Sequence, residues 1–165
     1  MLDATHSRET PPIERLCVPA LRLNNGSAGV STGGPIQTPA TALPAPIGLA
    51  ATWDAGLAHR YGVVEGVETL KQGRNLLEGP DINLARVPVN GRTFEAYGED
   101  PLLAGEISVG DIQGIQSRGV IANVKHYAGG KDEWQELGLP LERAGRPYVP
   151  SQTETPRGAG PPGTH

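Results

Sequence analysis

Apolar residues recur with a helical step in one part of this chain and fall in short runs elsewhere. Leu57, Tyr61, Val64 and Val67 follow one another at intervals of four, three and three. Residues so spaced share one face of an α-helix. Asp54 stands just ahead of them, where a carboxylate can accept from a free amide of the first turn. The spacing predicts an amphipathic helix over Ala55–Gln72. A second helix start is written in Glu99-Asp100-Pro101, with Asp100 as the cap and Pro101 in the first turn. That helix should run to about Ser117. Gly110 and Gly114 would weaken it by about 1 kcal/mol each relative to alanine if they were exposed. Gly119 suits the left-handed cap position.

The short runs read as strands. Val120–Val124 is expected to be a buried strand, Asn75–Leu77 and Ile82–Ala85 short extended pieces. Thr41–Ala51 reads as a buried strand bent at Pro44 and Pro46. Asn24-Asn25-Gly26 is a turn signal. Ser31–Pro39 and Val87–Tyr97 read as loops. Strand, helix, strand, helix, strand in this order predicts a parallel α/β sheet or barrel.

Composition narrows the picture. Gly (23) and Pro (16) are abundant and aromatics make up only 4%, so the chain is expected to be loop-rich. A polar segment at 1–12 and a Pro/Gly-rich segment at 131–165 read as disordered, the latter also as an out-of-frame tail, leaving 13–130 as the ordered part. The net charge of −4 argues against nucleic acid as a partner. No apolar run reaches the ~18 residues that a membrane span needs. MLDATHSRET has neither a basic stretch nor an apolar core, so no signal peptide is visible and the cytoplasm is favoured. The single cysteine, Cys17, excludes an intrachain disulfide and reads as a small buried filler. Trp53, beside a helix cap, reads as core.

Two segments carry chemistry. GRTFEAYGEDP (91–101) sets an arginine among carboxylates, and GVIANVKHYAGG (119–130) ends a short apolar strand in Lys125-His126. Cationic groups at the carboxyl end of a buried strand are costly unless a ligand or partner uses them. Arginine offers a planar fork of donors, lysine three more, and histidine can donate or accept. Such a set suits the fan of hydroxyls on a sugar. Glu95 reads as the arginine's partner and Asp100 as a cap, so Glu95, Glu99 and Asp100 are not a catalytic cluster. The four histidines have no metal-ligand spacing, the glycine pairs form no phosphate loop, and no cofactor is implied.

Four stretches, in order, resemble glycoside hydrolase family 3, the β-glucosidase group. VPALRLNNGSAGV is similar to IPxLxLxDGPxGV, and TALPAPIGLAATWD to TxFPxxxxLAATWD. NLLEGPDINLARVPVNGRTFEAYGEDP is similar to the run ending in GRxFExFGEDP, and GVIANVKHYAGG to GVxAxxKHFxxN. The resemblance implies the N-terminal half of a (β/α)₈ TIM barrel, a fold that needs about 250 residues when complete. It implies a β-glucoside or oligosaccharide substrate and a retaining mechanism in the complete enzyme. It places Arg92, Lys125 and His126 on the hydroxyls of the sugar at the non-reducing end. The family aspartate that also holds this sugar is Asn25 here, which can accept from a hydroxyl without a carboxylate's charge. The family nucleophile is the aspartate of an SDW-like motif, and the 165 residues contain no Ser-Asp-Trp. The expectation is a β-glucosidase-type glycoside hydrolase fragment that lacks the nucleophile, does not turn over alone and binds sugar weakly at most. A non-catalytic sugar-binding remnant, a xylosidase and the β-N-acetylglucosaminidase branch are the alternatives.

Overall fold

The computed structural model describes residues 8–32, 38–86, 88 and 90–126, with two short strands further on. Its centre is a parallel sheet of β1 (Leu23–Asn25), β2 (Leu76–Glu78) and β3 (Ile121–Ala122), in that order. Leu23 pairs with Leu76 and Leu76 with Ile121. Two helix-bearing connections join these strands: α1 (Pro46–Ala50) and α2 (Ala55–Lys71) lie between β1 and β2, and α3 (Pro101–Gln116) lies between β2 and β3. This is the repeating strand–helix unit expected of a partial (β/α)₈ barrel. A separate antiparallel ladder pairs β4 (Glu142–Arg143) with β5 (Arg146–Pro147).

Local signals in the sequence set both long helices. Asp54 accepts from the amide of Leu57 at 2.9 Å, and Asp100 from that of Leu103 at 2.8 Å. Pro101 occupies the first turn, and Gly119 follows α3 at φ 78°. Each cap satisfies an amide that the helix itself leaves without a partner.

The face that α2 buries differs from the expected one. Val64 is exposed, whereas Ala58, Tyr61, Gly62, Glu65, Gly66 and Thr69 are buried. Small residues line this face because α3 lies close against it. A Cβ on Gly110 would stand 2.6 Å from the Ala55 carbonyl oxygen, and one on Gly114 would stand 2.8 Å from the Val63 nitrogen. Gly110 and Gly114 are therefore contact points between helices rather than exposed weak spots.

Two apolar clusters result. Leu49, Ala50, Ala58, Tyr61, Tyr97, Ala104 and Ile107 pack among the three helices. Val30, Leu77, Ile115 and Val120 pack between the sheet and α3. Polar groups are buried beside them. Glu65 and Asp111 are both fully shielded from solvent. The Tyr97 hydroxyl donates to Asp111 at 2.5 Å, and the Tyr61 hydroxyl lies 2.9 Å from the Ser27 carbonyl and 2.8 Å from that of Pro44. Burial pushes the Asp111 carboxyl up to about 6. Burial, then the neighbouring Asp111, push Glu65 well above the usual carboxylate range.

Several sequence expectations are corrected. Residues 8–10 are not a disordered tail, because they pair antiparallel with 21–23: the Thr10 amide donates to the Leu21 carbonyl and the Leu23 amide to that of Arg8, each at 2.9 Å. Residues 1–7 and most of the 131–165 segment lie outside the described residues. Thr41–Ala51 is not a strand. Its prolines cannot donate to a ladder, and Pro46 instead opens α1. Asn24 and Asn25 belong to β1, and the chain turns after them. Ile82–Ala85 forms no strand, and the 87–97 loop contains a 3₁₀ turn over Thr93–Glu95. Cys17 is exposed, and Trp53 is 76% exposed rather than core. In the Val120–Val124 run only Val120 is buried. Ile121 and Val124 are open because, among the described residues, β3 has no neighbour on its outer side.

Candidate functional site

The three strands run parallel, so their carboxyl ends lie along one edge of the sheet. Polar residues follow each strand there. β1 ends in Asn25. β2 leads through Gly79-Pro80 to Asp81 and Asn83, and β3 leads to Lys125 and His126. A parallel bridge between Asp81 and Lys125 carries the β2–β3 pairing past the strand ends. Arg92 and Glu95 enter from the loop between β2 and α3, where the 3₁₀ turn sets them three residues apart on one side.

These side chains form one connected array. Lys125 Nζ donates to Asn25 Oδ1 at 3.0 Å and lies 3.4 Å from Glu95 Oε2. Arg92 grips the same carboxylate side-on, Nε to Oε1 at 2.8 Å and Nη2 to Oε2 at 2.9 Å. Arg92 Nη1 lies 3.1 Å from His126 Nε2. On the other side of that ring, Nδ1 lies 3.3 Å from Asp81 Oδ2 and 2.7 Å from Asn83 Nδ2. Asp81 Oδ1 accepts from the Asn83 amide at 3.0 Å. All four residues expected at the site, Asn25, Arg92, Lys125 and His126, thus meet in one place. The reading of Glu95 as the partner of Arg92 holds as well.

Burial grades across the array. The side chains of Lys125 and Glu95 are 11% and 14% exposed, whereas His126 and Arg92 are 32% and 41% exposed and form the mouth. Burial pushes Glu95 up, but the Arg92 hydrogen bond and the charge of Lys125 outweigh it and hold the carboxyl below its ordinary value. For His126, burial is the largest influence and keeps the ring below its ordinary value; the Asp81 charge opposes this and the Arg92 charge adds to it. Burial raises Asp81, against the Asn83 hydrogen bond and the His126 charge. Two cations thus face two carboxyl groups around a ring held towards neutrality. Such a balanced set fits an uncharged polyhydroxyl ligand better than an anion, which would call for excess positive charge.

The sequence reading leaves out Asp81 and Asn83. The available signal is their spacing: two residues apart in extended chain, they point to the same side. Among the described residues, no group of three or more His, Cys, Asp or Glu side chains is placed to hold a metal ion. No helix there is long and apolar enough to cross a membrane.

The profile of the glycosyl hydrolase family 3 N-terminal domain matches residues 14–144. The chain belongs to glycosyl hydrolase family 3. Probable beta-glucosidase H of Aspergillus oryzae is 40% identical over 133 residues, covering 80% of this chain and 16% of that protein. Probable beta-glucosidase I of Aspergillus niger is 38% identical over 131 residues, covering 79% of this chain and again 16% of the relative. Among solved structures, beta-glucosidase 3B from Thermotoga neapolitana in complex with glucose aligns over 74% of this chain and 19% of its own, with a TM-score of 0.66 at 38% identity. The beta-glucosidase from Kluyveromyces marxianus in complex with glucose aligns over 76% of this chain and 15% of its own, with a TM-score of 0.71 at 35% identity. The chain therefore corresponds to about a sixth of the length of these family 3 relatives.

Proposed function

We propose that this family 3 chain supplies the glucose-binding portion of a β-glucosidase-type site, holding the terminal sugar of a β-glucoside. The observation that supports this reading most directly is the convergence of Asn25, Arg92, Lys125 and His126 at the carboxyl edge of the sheet. Barrel enzymes place their substrate groups at that edge. Lys125 uses one N–H on Asn25 and directs another at Glu95, leaving a third for a sugar hydroxyl. Glu95 keeps both cations from collapsing onto other partners, and Asn25 presents a carboxamide beside the ammonium. The charge balance of the array suits a neutral sugar.

Chemistry on the glycosidic bond belongs to groups outside this array. A retaining glycosidase needs one carboxylate as nucleophile and a second carboxyl group as acid and then base. Glu95 is committed to Arg92 and Lys125, and Asp81 to Asn83 and His126. The tryptophans, Trp53 and Trp134, are preceded by Thr52 and Glu133, so no SDW-like nucleophile is present. In the complete family 3 enzyme the array would orient the sugar for a double displacement performed by carboxylates supplied elsewhere.

Glucose titration of the isotope-labelled chain tests the binding role. Shifts of the Arg92 Nε–H and His126 ring signals that saturate with glucose are expected, and no shift at either residue would refute it. The purified chain should release no aglycone from an aryl β-glucoside. Hydrolysis that co-purifies with the chain and is lost in Lys125→Met would overturn that part of the proposal.

A further inference from the structure

Arg92 and Asp81 between them select one protonation pattern for the His126 ring. Arg92 Nη1 carries hydrogens and no lone pair to share, and it lies 3.1 Å from Nε2. Nε2 must therefore be the acceptor. In a neutral imidazole the proton is then on Nδ1, which needs an acceptor of its own. Asp81 Oδ2, 3.3 Å away on a side chain that is 4% exposed, is placed to be that acceptor. The Asn83 carboxamide lies 2.7 Å from Nδ1 through its nitrogen, with its oxygen 3.4 Å from the His126 amide; turning it sets the oxygen towards Nδ1–H as a second acceptor beside Asp81. The opposite tautomer sets Nε2–H against the Arg92 donors, and so does the imidazolium.

We propose that Asp81 is a positioning residue for the sugar site: its carboxyl group accepts from Nδ1–H of His126, which leaves Nε2 to accept from Arg92 and so fixes the arginine fork. The proposal rests on the glucose-site reading only for its consequence, not for the tautomer itself. Each nitrogen of the Arg92 guanidinium then has a defined direction. Nε and Nη2 are set by Glu95, and Nη1 is set by His126. His126 in turn is set by a buried carboxyl group whose other oxygen is tied to the Asn83 amide. The charged groups around the ring come from every element that meets it: Asp81 after β2, Arg92 and Glu95 from the loop before α3, and Lys125 beside it in the chain. A guanidinium fixed on all three nitrogens meets a sugar hydroxyl without first losing rotamer freedom. This links a residue that need not touch the sugar to the affinity for it.

The test is nitrogen-15 spectroscopy of the imidazole rings in the full chain at pH 7.5, with His126 assigned by comparison with His126→Gln. The expected result is a protonated Nδ1 and an unprotonated Nε2. Asp81→Asn keeps an oxygen for Nδ1–H and should retain that tautomer. Asn83→Ala leaves Asp81 as the acceptor and should retain the tautomer too, whereas Asp81→Ala combined with Asn83→Ala removes both acceptors and should move the ring towards Nε2–H, shift the Arg92 Nε signal, and raise the glucose Kd by roughly three- to tenfold, the equivalent of one hydrogen bond. A dominant Nε2–H form in the unsubstituted chain overturns the proposal, as does loss of Nδ1–H in Asn83→Ala or an unchanged tautomer in the double variant. Should the double variant fail to fold, the unsubstituted chain and Asn83→Ala still decide the question through the tautomer. If Nδ1–H is found as expected and glucose moves no resonance, the glucose-site reading fails while the role of Asp81 in fixing the ring stands.

Discussion

Two glycines on the same helix should respond in opposite senses to the same substitution. Gly105 and Gly114 both lie inside α3. Alanine favours a helix interior over glycine by about 1 kcal/mol, and this gain applies at either position. At Gly105 a Cβ would meet nothing within 4 Å. Gly105→Ala should therefore stabilise the chain by about 0.5–1 kcal/mol. At Gly114 a Cβ would press on the His59 carbonyl oxygen and stand 2.8 Å from the Val63 nitrogen, both backbone atoms of α2. Backbone cannot swing aside as a flexible side chain does, so the helices must separate. Overpacking typically costs 1–3 kcal/mol, and a rigid neighbour puts this case at about 3 kcal/mol. With the helix-propensity gain subtracted, Gly114→Ala should destabilise the chain by about 2 kcal/mol. A chain of this length changes its Tm by about 2–4 °C per kcal/mol. The expected changes are thus a rise of roughly 1–4 °C for Gly105→Ala and a fall of roughly 4–8 °C for Gly114→Ala. Circular dichroism at the helix band, in thermal and urea melts, reads both. A Gly114→Ala chain as stable as its parent would refute the close helix contact, and equal shifts of one sign would refute the whole argument.

Other substitutions probe the buried carboxyls, the site and the caps. Glu65 and Asp111 have folded-state values raised by burial, so the folded state holds protons that the unfolded chain releases; the Asp111 contribution to stability is lost as pH rises from about 4 through about 6, and that of Glu65 is likewise lost as pH rises above the ordinary carboxylate range. Glu65→Gln removes one of these ionisations; its gain in urea midpoint over the parent should be larger at pH 7.5 than at pH 5, and a constant difference would contradict the assignment. Asn25→Asp restores the carboxylate of the family pattern beside Lys125, and calorimetry should show glucose binding tightened about three- to tenfold; unchanged or weaker binding in a folded variant would count against the contact. Asp54→Ala and Asp100→Ala each remove a cap and should cost about 1 kcal/mol in urea melts; a cost near zero would mean that water replaces the carboxylate there.

What the sequence determined by itself was local. Asp54, Asp100, Pro101 and Gly119 announce helix ends because each acts on backbone groups within about four residues, as does the Arg92–Glu95 pair across one turn. The family motifs carried the candidate site residues and the barrel topology, and the structure brought Asn25, Arg92, Lys125 and His126 together. Tertiary structure decided the rest. The period of α2 was legible but its buried face was not: α3 approaches close enough to select glycine, alanine and even Glu65 over Val64, and a hydrophobic pattern does not record that approach. Cys17 and Trp53 look like core by residue type, yet among the described residues no other element covers them. Lys125 meets Asn25 across 100 residues, and Asp81 meets His126 across a whole strand–helix–strand unit. Such contacts depend on where parallel strands end relative to one another. That is a property of sheet register, which no short stretch of sequence contains.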